Sequence, residues 1–248
     1  MALIPKPINK SHQNIDFTAY ILAGGFGTRL IPSVGTTAKV LAPVANYTFL
    51  ELQMENWVAQ GLKKFVFLLH YKSESVIMAL SNLKQNFGST ISIDHEVEEH
   101  PLGTGGAVTV AAKKRGQKEP FLVLNADTWF KSGLKLISEQ RRPSVGVAWS
   151  QDVSRFGSVI LDHHMTVLSF KEKLASSEPG FVNAGVFLLF PDNLMLTDPT
   201  PFSLEAIVLT RLINHQKLFG VELDSDFIDI GTPNSYEHFK KLVDREML

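Results

Sequence analysis

Three glycines, an arginine and a lysine stand close together in YILAGGFGTRLIPSVGTTAKVLAPV, residues 20–44. Gly24, Gly25 and Gly27 follow a short apolar run, Arg29 comes two residues later and Lys39 ten after that. Glycines let backbone N–H groups approach an anion with no side chain in the way, and cations behind them offset its charge. The chemistry such a stretch suits is the holding of phosphate. Two familiar phosphate loops do not fit. A P-loop ends in Gly-Lys-Ser/Thr, which this stretch lacks. A dinucleotide fingerprint needs glycine where this chain has Leu30, and an acidic end to the second strand, where it has His70. On these residues alone a glycine-rich turn with Arg29 and Lys39 on the surface remains the other reading.

Two carboxylates are placed for related work. Asp127 ends the apolar run FLVLNAD and Asp229 lies in FIDIGTP. In a parallel sheet the carboxyl end of a strand is the ligand edge. Each also reads as a turn aspartate, with Asp229 capping a helix that begins near Pro233. Asn183, between apolar residues of FVNAGVF, needs a hydrogen-bond partner if buried, and a hydroxyl-rich ligand would supply one. His95 and His100 read as surface residues without metal spacing. The run Asp162-His163-His164 reads as a polar turn, because adjacent strand side chains point to opposite faces.

These residues must be positioned by repeated strand–helix units. FTAYILAG, KKFVFLLHY, TISIDHEV and PFLVLNADTW read as strands. FLELQMENWVAQG, SESVIMALSNLKQNFG and GGAVTVAAKKRG between them read as helices. Continuous apolar strands alternating with helices predict a mostly parallel sheet covered on both faces. After about residue 143 SVGVAWSQ, FGSVILD, TVLSFKEK and FVNAGVFLLF predict an antiparallel extension. FSLEAIVLTRLINHQ then reads as a helix, LFGVELDSDFIDIG as one or two strands, and NSYEHFKKLVDREM as a closing amphipathic helix. The expected organisation is an irregular arm over residues 1–17 and one domain over 18–248.

At 248 residues, 44% hydrophobic and 20% charged, the chain can bury a full core without staples. A net charge of -1 carries no basic surplus for nucleic acid, and zero cysteines leaves no disulfide or thiolate metal site. The first residues lack the apolar core of a signal peptide, and no stretch approaches a membrane span. The expectation is a soluble cytoplasmic protein; a homo-oligomer is compatible with the sequence.

With Gly24, Gly25, Gly27, Thr28, Arg29 and Lys39 in register, the sequence resembles the sugar-phosphate nucleotidyltransferases, whose signature is Gly-Gly-x-Gly-Thr-Arg followed by Pro-Lys. EEHPLGTGGA, LVLNAD, FKEK, FVNAGVFLL and FIDIGTP match further family blocks in order, from Leu22 to Pro233. Ala38 replaces the usual proline before the lysine, and Ala126 the usual glycine before the aspartate. The resemblance implies a Rossmann-like three-layer αβα fold. It also implies attack of a sugar 1-phosphate on the α-phosphorus of a nucleoside triphosphate, releasing pyrophosphate. LAPV, PLGTGGA, NAGVFLL and FSLE look most like the members that use GTP and a heptose 1-phosphate. Members using mannose 1-phosphate, or other hexose 1-phosphates and nucleotides, share nearly all of these residues. A non-catalytic nucleotide-sugar-binding regulator is the reading from another class.

By the same resemblance, Gly24, Gly25 and Gly27 hold the nucleotide, Arg29 lies along the triphosphate and Lys39 stabilises charge at the α-phosphate. Asp127 and Asp229 bind Mg²⁺, two carboxylates with phosphate oxygens suiting a hard cation. Lys173 binds the phosphate of the sugar and Glu172 its hydroxyls; a charged strand face is the plain alternative. Asn183, Gly185 and Gly157 approach the sugar. Gly103 faces the base, and Glu98 accepts from the paired N1 and N2 hydrogens of guanine.

Overall fold

β1 (Ile15–Leu22) is the strand from which the glycine loop departs. Its side chains divide the interior: Ala19 and Ile21 face one apolar cluster and Tyr20 faces another. The computed structural model describes residues 14–154, 156–171, 178–194, 201–223 and 227–246. β1 begins at Ile15, inside the stretch expected to be an irregular arm. Ile15 is buried, and its N–H donates to the Gly61 carbonyl at 2.9 Å. That apolar side chain carries the strand back past the polar residues that suggested a loop.

After β1 come α1 (Ile31–Val34), the short pair β2 (Pro43–Val44) and β3 (Tyr47–Thr48), and α2 (Phe49–Ala59). A capping box starts α2: Thr48 N–H donates to the Glu51 carboxylate at 2.6 Å, and the Thr48 hydroxyl accepts the Glu51 N–H at 3.2 Å. β4 (Leu62–Leu69), α3 (Ser73–Phe87), β5 (Ser92–Val97), α4 (Gly103–Lys114) and β6 (Phe121–Asn125) continue the alternation. Then follow β7 (Thr128–Phe130), α5 (Leu134–Ser138), β8 (Ser144–Ser150), β9 (Ser158–Leu161), β10 (Val167–Lys171) and β11 (Gly180–Leu189). The chain ends through a π-helical turn at Leu204–Leu209, α6 (Thr210–Asn214), β12 (Phe219–Glu222), β13 (Phe227–Asp229) and α7 (Pro233–Glu246).

Seven strands form one sheet in the order β12-β8-β11-β6-β1-β4-β5. Every neighbouring pair is parallel except the two made by β11, which runs against β6 and β8. The expected αβα layering is present. Leu50, Met54 and Trp57 of α2 cover one face with Val76, Leu80 and Leu83 of α3. Val108 and Ala111 of α4 cover the other with Val208 and Leu212. A third cluster joins Phe49 of α2 to Tyr236 and Phe239 of α7, with Leu30, Ile228 and Ile230.

The antiparallel extension appears as the β9–β10 hairpin and the reversed β11. The helix expected over FSLEAIVLTRLINHQ is present, π-helical over Leu204–Leu209, capped by the Ser203 hydroxyl accepting Ala206 N–H at 3.2 Å, and continuing without a break as α6. LFGVELDSDFIDIG splits between two sheets, β12 joining the main one and β13 pairing with β7. The Asp162 carboxylate accepts the N–H groups of His164 and Thr166, each at 2.8 Å, so this segment is the expected polar turn.

Candidate active site

β1 lies between β6 and β4, so the strand order reverses beside it and leaves a crevice at the carboxyl ends. There a cleft of about 360 Å³ is lined by Gly25, Gly27, Thr28, Arg29, Lys39, Asp127 and Gly231, among others. Most of the residues expected to handle the nucleotide therefore meet in one place. Phe26 and Gly231 line it too, though neither carried a role in the sequence reading. The glycine that follows Asp229 in the DIG run was the available signal for Gly231.

The glycines have different local reasons. Gly27 has φ 62°, a left-handed conformation, and a Cβ there would lie 3.0 Å from the Lys39 Cβ. A Cβ on Gly24 would lie 3.2 Å from the His70 nitrogen. Gly25 has open space, with nothing within 4 Å of a Cβ built on it. Only at Gly25 is neither packing nor backbone geometry the reason for glycine.

Lys39 enters on a 3₁₀ turn over Lys39–Leu41. Ala38 precedes it with φ −57° and ψ 134°, so alanine adopts the backbone that proline would impose. Buried Ala38, Val40 and Ala42 anchor the segment, and the Tyr236 hydroxyl of α7 donates to the Pro43 carbonyl. Lys39 Nζ donates to Asp127 Oδ2 at 2.5 Å and lies 3.6 Å from Asp229 Oδ1.

The two aspartates meet because β7 pairs antiparallel with β13, setting Thr128 opposite Asp229. Ile230 N–H donates to the Asp127 carbonyl at 3.0 Å, and Gly231 N–H donates to Asp229 Oδ1 at 2.5 Å. Asp229 therefore accepts a bond within its own turn and does not cap α7. Burial first, and the Asp127 charge second, push the Asp229 carboxyl above the usual aspartate range; Lys39, Gly231 N–H and Arg29 act against the shift. Two carboxylates thus share the one ammonium in ion-pair contact with them. The donor set is hard oxygen, so a divalent cation such as Mg²⁺ fits it. Among the described residues no group of three or more His, Cys, Asp or Glu could hold a metal, so a cation here would complete its coordination with water or substrate oxygens.

Other residues expected to contact substrate are not among those lining this cleft. Glu98 is part-buried, and its carboxylate accepts the Leu102 N–H at 3.0 Å at the start of α4. Burial pushes its carboxyl up, with that bond and His70 working the other way. Gly103 has φ 69°, and a Cβ on it would lie 2.5 Å from the Phe202 carbonyl oxygen. Its glycine is required by that close approach. Asn183 has a partner within the chain, accepting the Gly185 N–H at 2.9 Å. Gly185, at a β11 irregularity with φ 71°, would carry a Cβ 2.8 Å from both Asn125 Nδ2 and the Thr128 hydroxyl. Gly157 (φ 78°) is buried in a turn, donating its N–H to Val153 at 2.9 Å. Glu172 and Lys173 lie outside the described residues.

Residues 18–246 match the family described as nucleotidyl transferase. The chain belongs to this family. A D-glycero-alpha-D-manno-heptose 1-phosphate guanylyltransferase of Campylobacter jejuni is 34% identical over 227 residues, 89% of this chain and 97% of that protein. The mannose-1-phosphate guanylyltransferase catalytic subunit beta of Drosophila melanogaster is 29% identical over 224 residues, of whose length the match spans 60%. The crystal structure of HddC from Yersinia pseudotuberculosis complexed with GMP-PN superposes with TM-score 0.79 at 29% identity, covering 92% of this chain and 99% of that one. UTP-bound UGPase from Acinetobacter baumannii, at 17% identity and TM-score 0.74, shares the fold. The protein is a sugar-1-phosphate nucleotidyltransferase. No described helix is long and apolar enough to cross a membrane.

Proposed function

We propose that this enzyme transfers GMP from GTP to D-glycero-α-D-manno-heptose 1-phosphate, giving a GDP-heptose and pyrophosphate. The observation that carries the catalytic reading is Lys39 lying against Asp127 and near Asp229 at the cleft lined by the glycine loop. The 34% identity to a heptose 1-phosphate guanylyltransferase supports the choice of substrates.

A phosphate oxygen of the sugar 1-phosphate forms a bond to the α-phosphorus, and the α–β phosphoanhydride bond breaks as pyrophosphate leaves. Both reactants are anions, so catalysis is positioning and charge neutralisation. Backbone N–H groups at Gly25 and Gly27 hold the triphosphate. Arg29 offsets charge that grows on the pyrophosphate, and Lys39 moves its ammonium from the carboxylates to the α-phosphate. Asp127 and Asp229 hold Mg²⁺, which when bound neutralises phosphate charge as a Lewis acid. The 98–103 segment reads the base, with the Glu98 carboxylate taking the guanine N1 and N2 hydrogens. Asn183, Gly185, Glu172 and Lys173 serve the sugar phosphate.

The second reading, mannose 1-phosphate as acceptor, rests on the mannose-1-phosphate guanylyltransferase relatives. Pyrophosphate release from four nucleoside triphosphates against a sugar 1-phosphate panel tests both. The expected result is the highest kcat/KM for GTP with the heptose; a higher value for mannose 1-phosphate replaces the first reading with the second. If wild type and Asp127→Ala are equally inactive across the panel yet bind nucleotide sugar, the protein is a regulator.

A further inference from the structure

β7 is only three residues long and stands outside the seven-stranded sheet, yet it follows directly on Asp127. A strand that short has little hold on its own position. One edge is paired with β13, the strand that ends in Asp229. Among the described residues no strand pairs with the other edge. It faces α2, where side-chain amides take the place of a neighbouring strand.

Gln53 of α2 is 1% exposed, and its Nε2 donates to the Thr128 carbonyl at 2.7 Å. Asn56, one helical turn later, donates from Nδ2 to the Phe130 carbonyl at 2.8 Å. Gln60, a further turn along, accepts the Leu134 N–H on its Oε1 at 3.0 Å and donates to Asn56 Oδ1 at 3.3 Å. Residues spaced by three and four lie on one face of a helix, so these amides form a ladder along α2 and its C-cap, Gln60. Thr128 and Phe130 turn their carbonyls to this ladder. Asp127, one residue before Thr128, turns its carbonyl the other way, to the Ile230 N–H. Burying two strand carbonyls would be unfavourable without these donors.

The ladder has a functional consequence because of where it ends. Its deepest member, Gln53, bonds the carbonyl of the residue that pairs with Asp229 and follows Asp127. We propose that Gln53, assisted by Asn56, is a positioning residue that sets the placement of Asp127 and Asp229 around Lys39. It touches neither substrate nor reacting atoms and acts through the backbone of β7. This rests on the reading that both aspartates serve the transfer. The sign expected is a loss in kcat that falls off along the ladder, from Gln53 to Asn56 to Gln60.

The test compares Gln53→Met, Asn56→Ala and Gln60→Ala for Tm, and for kcat and KM with each substrate, well below every Tm. Gln53→Met is expected to lower kcat by roughly tenfold to a hundredfold, the scale for sub-ångström misplacement, with KM for the sugar phosphate changed less than about threefold. Asn56→Ala is expected to lower kcat by a smaller factor and Gln60→Ala to leave it near wild type. Folded variants with lowered Tm but wild-type kcat would make the ladder purely structural and overturn the proposal. Should Gln53→Met fail to fold, Asn56→Ala decides: lowered kcat supports the proposal and unchanged kcat overturns it. Asp127→Asn and Asp229→Asn are measured alongside. If they keep wild-type kcat, the catalytic reading and the proposal fall together; if they lose it while Gln53→Met does not, the proposal alone falls.

Discussion

A methyl group added at Gly25 asks whether the loop backbone itself touches phosphate. Its two neighbours cannot ask this cleanly. Alanine at Gly27 would force a left-handed φ of 62° on a residue with a side chain and press on Lys39, so lost binding would be confounded with strain. Alanine at Gly24 would crowd the His70 backbone at 3.2 Å. At Gly25 the new carbon meets nothing within 4 Å, φ is not positive, and the residue lines the cleft. Folding should therefore be untouched or slightly favoured, since alanine restricts the unfolded chain by about 0.4–1 kcal/mol. For a chain of this size that corresponds to a rise of about 1 to 4 °C in Tm. Nucleotide binding should move the opposite way. A methyl between backbone N–H and phosphate oxygen costs a charge-assisted hydrogen bond, about 1.5–3 kcal/mol, or roughly 10- to 150-fold in Kd. Calorimetric titration of GTP without sugar phosphate reads the second quantity and thermal unfolding the first. Wild-type GTP affinity in Gly25→Ala would refute the idea that this loop cradles phosphate through its backbone.

Gly231→Ala would place a Cβ 2.7 Å from Asp229 Oδ1 and 3.1 Å from Lys39 Nζ with no left-handed strain. The displaced carboxylate should lower kcat on the order of tenfold, measured as pyrophosphate release, with a modest effect on Tm. Ala38→Pro matches a backbone already at φ −57°, and should raise unfolding free energy by about 0.4–1 kcal/mol in denaturant titration while activity is kept. Burial, then the Glu51 charge, hold the Glu55 carboxyl above its ordinary value of 4.5. A carboxyl so raised favours the fold below its unfolded pKa and loses that contribution as pH rises through the folded one. Glu55→Gln should therefore raise Tm at pH 7 in thermal unfolding, and the gain should shrink as pH falls through the folded pKa and vanish below the unfolded one.

The strand–helix alternation and the glycine loop were legible because each depends on residues close together in the chain. Apolar runs such as FLVLN bury on both faces of a sheet, and a glycine cluster behind one allows close backbone approach wherever the strand lies. The family blocks placed Arg29, Lys39 and Asp127 at the same sheet edge. The α2 start is fixed locally by the capping box of Thr48 and Glu51, three residues apart. Where such a local signal conflicted with packing, packing prevailed: buried Ile15 drew β1 into the polar arm.

Tertiary structure alone decided which distant groups meet. Nothing near Asp127 or Asp229 specifies that β7 pairs with β13, which is what sets both carboxylates about one ammonium. Asn183 needed a hydrogen-bond partner, and an irregularity in β11 brings the Gly185 N–H to its Oδ1. Nothing in the sequence around Gln53, Asn56 and Gln60 marks them as partners of β7, whose backbone they bond only in the folded chain. The residue types and local backbone preferences were determined by the sequence itself, since periodicity and steric freedom act over a few residues. The convergence of charges and the donors for buried carbonyls were decided only when sheet order and strand pairing brought remote segments together.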